Sequence, residues 1–293
     1  MARVTRRSSS LMVGALFICA ATGIPWSEEA CAEDGVRSAN RILATYRVDL
    51  AGVNLGDFRL TTVFHGSDYE MQGEGRFSLL GGLLYSWSGS TASKGKVTEN
   101  GPQPTMYAFT SHDGDGSQQL HVTFDGGVVT KVSMSPTVKP TVPIIPVTKE
   151  QLEGVLDPMT AVFLYARSEN PNGDPKVCDH TVPVFDGEQR YDLVLKPKRT
   201  VKLRKDATTG YSGFAAVCGV KFNPISGYEQ DDPDIKLMSQ TKDIEVWLVS
   251  LPGTAMYVPY RIVLPTFAGS GSLTSTSFHV QTGSRRASLE SQP

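Results

Sequence analysis

The chain predicts a mainly β protein: one antiparallel, strongly curved sheet, or an open or spiral barrel, with one short helical insert at about 148–168. Three observations carry that reading. Apolar and polar residues alternate with period two over most of the length, as Tyr46, Val48 and Leu50 do against Arg47 and Asp49. Gly, Asn, Asp and Ser cut the alternating runs at short intervals, the mark of a β-meander. Only Met159, Val162, Phe163 and Ala166 repeat at i, i+3, i+4 and i+7, the spacing of an apolar helical face.

The first residues read as a leader. Arg3, Arg6 and Arg7 form a basic start, Leu11 to Ala21 an apolar run, and Ala30-Cys31-Ala32 a small-x-small cleavage site. Residues 1–32 are thus a signal peptide, and the expected location is the periplasm. The apolar run is shorter than the about 20 residues of a membrane span, and no later segment approaches that length. Over the whole chain 28 Lys and Arg balance 30 Asp and Glu, for a net charge of −2. With no basic block, that balance argues against nucleic acid or an anionic membrane as partner. Roughly 260 residues remain, enough for a single large β domain at 33–282, followed by a polar, disordered tail at 283–293.

Residues 33–41 look like a polar, disordered start. Strands then follow at Ile42–Leu50, Phe58–Phe64, Tyr69–Phe77, Leu84–Ser93, Thr105–Ser111, Gln119–Phe124 and Val128–Met134. Pro136, Pro140, Pro143 and Pro146 make the next stretch an extended connector. The helical insert opens on Thr148 with Gln151, a capping box, and restarts at Asp157-Pro158, an N-cap followed by a first-turn proline. Val182, Val184, Tyr191, Leu193 and Leu195 then flank Asp186-Gly187, which fits a tight hairpin turn. Tyr211–Cys218 is the third arm of that unit. Asp231-Asp232-Pro233-Asp234 reads as a solvated acidic loop. Three closing strands occupy Ile244–Leu248, Val258–Leu264 and Leu273–Val280.

Four cysteines fall to two after cleavage, Cys178 and Cys218, an even number in an oxidising compartment. A disulfide between them would clip the three-armed unit and stabilise it by about 4 kcal/mol. The competing reading, a metal or catalytic thiol, lacks the paired short spacings of a zinc site.

Two segments carry a resemblance. Val155-Leu156-Asp157-Pro158-Met159-Thr160-Ala161-Val162-Phe163-Leu164-Tyr165 and Val182-Pro183-Val184-Phe185-Asp186-Gly187-Glu188-Gln189-Arg190-Tyr191-Asp192-Leu193 resemble the signature of a family of exported proteobacterial proteins with a domain of unknown function. Cys218–Tyr228 and Val258–Ile262 fit the same family, so the likeness runs from about Tyr46 to Val280. In plan the family is distantly similar to periplasmic β-spiral envelope-integrity proteins and to half-barrel lipoprotein carriers. The resemblance implies a concave apolar surface with a helical plug, and no catalytic residues.

Catalytic constellations find weak support. No Gly-x-Ser-x-Gly elbow sits between a strand and a helix. The five histidines are scattered. Asp113, Asp115 and Ser117 mimic a calcium loop but lack its glycine and closing glutamate. The reading is therefore a non-enzymatic protein with no cofactor and no metal. It would bind an apolar, lipid-like molecule or an envelope partner through its concave face and so contribute to envelope integrity. The candidate lining is Leu79, Leu80, Leu83, Leu84 and Trp87, together with Met159, Val162 and Phe163 of the helix. Two alternatives stand beside it. One is a scaffolding envelope protein with no cavity. The other is an envelope hydrolase using two of Asp186, Asp192 and Glu74.

Overall fold

A computed structural model describes residues 39–79, 85–114, 116–137, 142–164, 166–204, 211–252 and 254–282. The leader at 1–32, Leu80, Leu83, Leu84, Asp115 and the tail at 283–293 lie outside them. The chain runs through β1 (Ala39–Leu50), β2 (Val53–His65), β3 (Asp68–Leu79), β4 (Tyr85–Thr98), β5 (Gly101–Asp113), β6 (Gly116–Asp125) and β7 (Val128–Ser135). Helix α1 (Pro158–Phe163) follows, then β8 (His180–Phe185), β9 (Arg190–Leu203) and β10 (Gly213–Ser226). Helix α2 (Pro233–Gln240), β11 (Glu245–Ser250), β12 (Tyr257–Thr266) and β13 (Gly269–Thr282) complete it.

The thirteen strands found among the described residues form one antiparallel sheet in the order β7-β6-β5-β4-β3-β2-β1-β13-β12-β11-β10-β9-β8. Two meanders therefore meet where β13 pairs with β1, from Ala39 opposite Thr282 to Leu50 opposite Gly271. The sheet is not closed: β7 and β8 are its edges. The connector between them spans the gap. Gly154 N–H donates to Gly127 O at 2.8 Å, and Glu153 bridges Val128 beside it. Leu156 N–H donates to Pro183 O, and Phe185 N–H to Leu156 O, both at 2.9 Å. Residues 153–156 thus satisfy backbone groups on both edges, which otherwise invite pairing with another chain.

Helix α1 forms because its start is strongly specified. Asp157 Oδ1 accepts from Met159 N–H at 3.0 Å and Thr160 N–H at 3.1 Å, and Pro158 fills the first turn. Six residues are too few to be stable alone, so packing holds the helix. Met159 and Phe163 pack in one buried cluster with Tyr46, Leu60, Met71 and Phe124. Ala161 packs in a second, with Val182, Leu195, Ala216, Val246 and Leu248. Phe163 stacks on Phe58 at 6.1 Å and meets Tyr46 at 5.8 Å. Burying each such ring is worth about 2–3 kcal/mol. The fully buried Tyr46 hydroxyl donates to Pro259 O at 3.0 Å, which avoids an orphaned polar group.

Cys178 and Cys218 are disulfide-bonded, with a Cα–Cα distance of 5.2 Å. Several local readings are corrected. The 148–168 insert is not one helix: a 3₁₀ turn at Glu150–Leu152 precedes α1, and a second at Pro175–Cys178 follows it. Of the capping box, Gln151 Oε1 does accept from Thr148 N–H at 3.1 Å. Phe185 pairs with Arg190, so the hairpin turns through four residues, Asp186–Gln189, rather than a two-residue turn. Asp186 Oδ1 braces that loop by accepting from Glu188 N–H and Gln189 N–H, at 2.9 and 2.7 Å. The acidic stretch at 231–234 is not a free loop: Asp232 caps α2 through Asp234 N–H and Ile235 N–H. β1 starts at Ala39, inside the stretch expected to be disordered.

Candidate functional site

On the inner side of the second meander, β-register lines up a row of aliphatic side chains. Val182 of β8 lies opposite Leu193 of β9, Leu195 opposite Val220 of β10, and Val246 of β11 opposite Ile262 of β12. Direct partners point to the same face, so these side chains share one wall. Ala161 and Val162 of α1, then Ala166, form the facing wall. Between them lies a half-open cleft of about 150 Å³, completed by Ile244 and Leu248. Its lining is almost wholly apolar. A dry cavity of that size holds benzene or xenon better than water.

Two polar residues touch the rim, and neither places a charge in the cleft. Burial pushes the His180 imidazole below its ordinary range, against a weaker opposing pull from Asp179, so the ring is neutral near pH 7. The Glu245 carboxylate is drawn away. Arg199 holds it with two hydrogen bonds at 2.8 and 2.9 Å, and Lys198 Nζ and Trp247 Nε1 add contacts at 2.7 and 3.0 Å. Those donors, Arg199 first, bring its pKa down to about 2.

Beyond Ala166 and His180, which both spaces share, opens a polar recess of about 300 Å³. Glu99, Asn100, Gly101, Arg167, Lys176 and Asp179 line it. Arg167 is held by its backbone: it bridges Met256, and Tyr257 N–H donates to Ala166 O at 2.9 Å. Lys176 sits in the 3₁₀ turn that the disulfide anchors, with its N–H donating to Asp174 Oδ1 at 2.9 Å.

The α1 wall is fixed by a buried polar network. Ser93 of β4 and the Thr160 hydroxyl donate to Asp157 Oδ2 at 2.9 and 2.6 Å, and the Tyr69 and Thr160 hydroxyls share a hydrogen bond at 2.8 Å. Asp157, Thr160 and Ser93 have no solvent exposure. Burial raises the Asp157 carboxyl above its ordinary range, only partly offset by these hydrogen bonds. It also raises the Tyr69 phenol.

The residues expected to line the concave face are dispersed. Val162 reaches the cleft, whereas Met159 and Phe163 pack into the core against the first meander. Trp87 stacks on Phe77 at 4.9 Å with the planes 4° apart, and lies 6.4 Å from Phe109. Leu79 ends β3 opposite Tyr85, the first residue of β4, and Phe77 pairs with Trp87. Phe77 and Trp87 border a separate hollow of about 460 Å³ carrying Asp57, Arg59, Glu74 and Arg76. The β9–β12 residues of the apolar cleft were read in the sequence as strand residues and not as a ligand surface. Each is one member of an ordinary alternating strand, and only the register of distant strands assembles them.

Of the carboxylates considered for hydrolysis, Asp186 braces its loop and Asp192 is paired with Arg190 at 2.6 Å. Glu74 lies opposite Arg59. Among the described residues no group of three His, Cys, Asp or Glu side chains is placed to hold a metal.

One open antiparallel sheet with α1 packed against it defines a mainly β domain, and among the described residues no helix is long and apolar enough to cross a membrane. Its chain belongs to the family described as protein of unknown function (DUF3108), whose model matches residues 45–276. Among solved structures, the chain is similar to a beta-barrel-like protein of domain of unknown function DUF1849 from Brucella abortus. The TM-score is 0.45 and the identity 9%, over 83% of this chain and 98% of that one. No curated protein matches the chain.

Proposed function

We propose that the protein is a non-catalytic periplasmic binding protein that takes an apolar, lipid-like molecule into the cleft beside α1 and serves the cell envelope. The observation that carries this reading is the cleft itself. It is half-open, apolar on every wall, and its single rim carboxylate is turned onto Arg199. Keeping such a surface open forgoes about 25 cal/mol for each Å² of apolar area, which a bound apolar ligand would recover. The disulfide supports an oxidising compartment, and the engaged carboxylates favour binding over hydrolysis.

Solvent extraction of protein purified from its own cells, followed by mass spectrometry, tests the reading. The native chain should release an apolar small molecule, and Leu193→Trp, which fills the cleft, should release none. Empty extracts from both would sink it.

A docking role with an envelope protein is the second reading, favoured by one observation. Val128 and Val132 of edge strand β7, with Val142 and Ile144 of the connector, are large apolar residues left exposed. Crosslinking in intact cells from a photoreactive residue at 132 should then capture a partner that a Val132→Lys variant loses.

A further inference from the structure

The apolar cleft and the polar recess share Ala166 and His180 in their linings, so the two spaces are neighbours. Asp179 is occupied by Lys196 Nζ at 2.6 Å. No carboxylate among the described residues comes within ion-pairing distance of Arg167 or Lys176. Around the recess the cations Arg167, Lys176 and Lys196 stand beside the carboxylates Asp179, Glu99 and Asp174, the last coupled electrostatically to Lys176. Both unpaired cations sit on fixed backbone: Arg167 through its bridge to Met256, Lys176 through the turn that ends in Cys178.

We infer that the ligand is a single-chain amphiphile with an oxyanion head group, its tail in the cleft and its head on Arg167 and Lys176. This rests on the apolar-ligand reading above and adds the polarity of the other end. A guanidinium and an ammonium on one side of a recess suit a carboxylate or a phosphate, the first as a planar fork and the second as a point charge. Arg167 and Lys176 are both exposed, so an incoming anion can reach them from solvent. A cleft of about 150 Å³ has room for a short stretch of one chain and none for a second.

Displacement of the neutral fluorophore N-phenyl-1-naphthylamine from the full-length protein tests the assignment. Laurate, dodecyl phosphate, dodecanol and dodecyltrimethylammonium serve as competitors of one chain length. Laurate and dodecyl phosphate should compete at least about tenfold more tightly than dodecanol, the value of one charge-assisted hydrogen bond. The stronger of the two anions tells whether a free fatty acid or a phosphate-headed lipid is the source. Arg167→Gln with Lys176→Gln should erase the preference while leaving dodecanol binding unchanged, and Glu99→Gln should sharpen it. Dodecanol or the ammonium binding as tightly as laurate, or an anion preference that survives the double substitution, overturns the head-group assignment and leaves the cleft standing. Dodecanol binding unaffected by Leu193→Trp removes the cleft itself.

Discussion

Ser93 of β4 donates a 2.9 Å hydrogen bond to the Asp157 carboxyl across 64 residues of sequence, and so ties the first meander to the cap of α1. That one contact decides where the helical wall of the cleft stands. The Thr160 hydroxyl, bonded to the same carboxyl and to Tyr69, makes the joint three-sided. Replacing Asp157 with Ala removes the cap and orphans Ser93 in the interior, for an expected loss of about 3 kcal/mol in urea denaturation.

The same carboxyl predicts a pH dependence. Burial raises its native pKa above the ordinary aspartate value of 3.8, so the native state holds the proton more tightly than the unfolded chain. Its contribution is complete below that value and is lost as pH rises through the raised native one. The stability of the native protein relative to Asp157→Asn should therefore fall as pH is raised from 3.8. Urea midpoints of both proteins across that range, rising in parallel or diverging in favour of Asp157, would refute it.

Glu245 has the opposite sign. Arg199 and Lys198 depress it to about 2, so its contribution is present above the ordinary glutamate value of 4.5 and disappears as pH falls through 2. Arg199 is 41% exposed, and solvent screening limits the effect. Glu245→Gln should cost about 1 kcal/mol at neutral pH and almost nothing at pH 2. A thermal melt of the variant at the two pH values reads the difference.

Loss of the disulfide acts on the unfolded chain. The bridge joins residues 40 apart, and opening a loop of that length costs about 4 kcal/mol in the chain-entropy model. Cys178→Ser with Cys218→Ser should melt well below the oxidised protein. The variant should also lose more affinity for laurate than for dodecanol, because the turn carrying Lys176 loses its anchor. Equal melting temperatures would mean the bridge does not constrain the fold.

Gly227 and Gly126 offer a matched pair. Both have positive φ, +86° and +58°, but a Cβ on Gly227 would stand 2.0 Å from Glu188 O, whereas one on Gly126 meets nothing within 4 Å. Gly126→Ala should cost about 1 kcal/mol of backbone strain. Gly227→Ala should cost about 3 kcal/mol or more, because the turn after β10 can no longer approach the β8–β9 loop. Denaturant midpoints that rank the two the other way would contradict the packing described.

The strands were legible because alternation is local: Tyr46, Val48 and Leu50 announce β1 without help from the rest of the chain. Asp157-Pro158 announced α1 for the same reason. Asp232-Pro233 carries the same signal, yet its neighbours Asp231 and Asp234 drew the reading toward a solvated loop, and α2 has no buried residue to mark it. The cleft was hidden for a different cause. Leu195, Val220, Val246 and Ile262 come from four strands, and alternation says which face each occupies without saying which strands are neighbours. The Ser93–Asp157 contact is of the same kind: Asp157 was legible as a cap, but its partner on β4 is brought to it only by the tertiary fold.

The pairing of β1 with β13 bears on how the protein folds. The first strand of the sheet has one ladder unfilled until the thirteenth, at the far end of the sheet's sequence, reaches it. The most sequence-distant contacts therefore form at the end, when loop closure is entropically most costly and slow. Until then β1 keeps one row of amides unpaired and open to neighbouring chains, so refolding from denaturant should lose yield to aggregation as protein concentration rises.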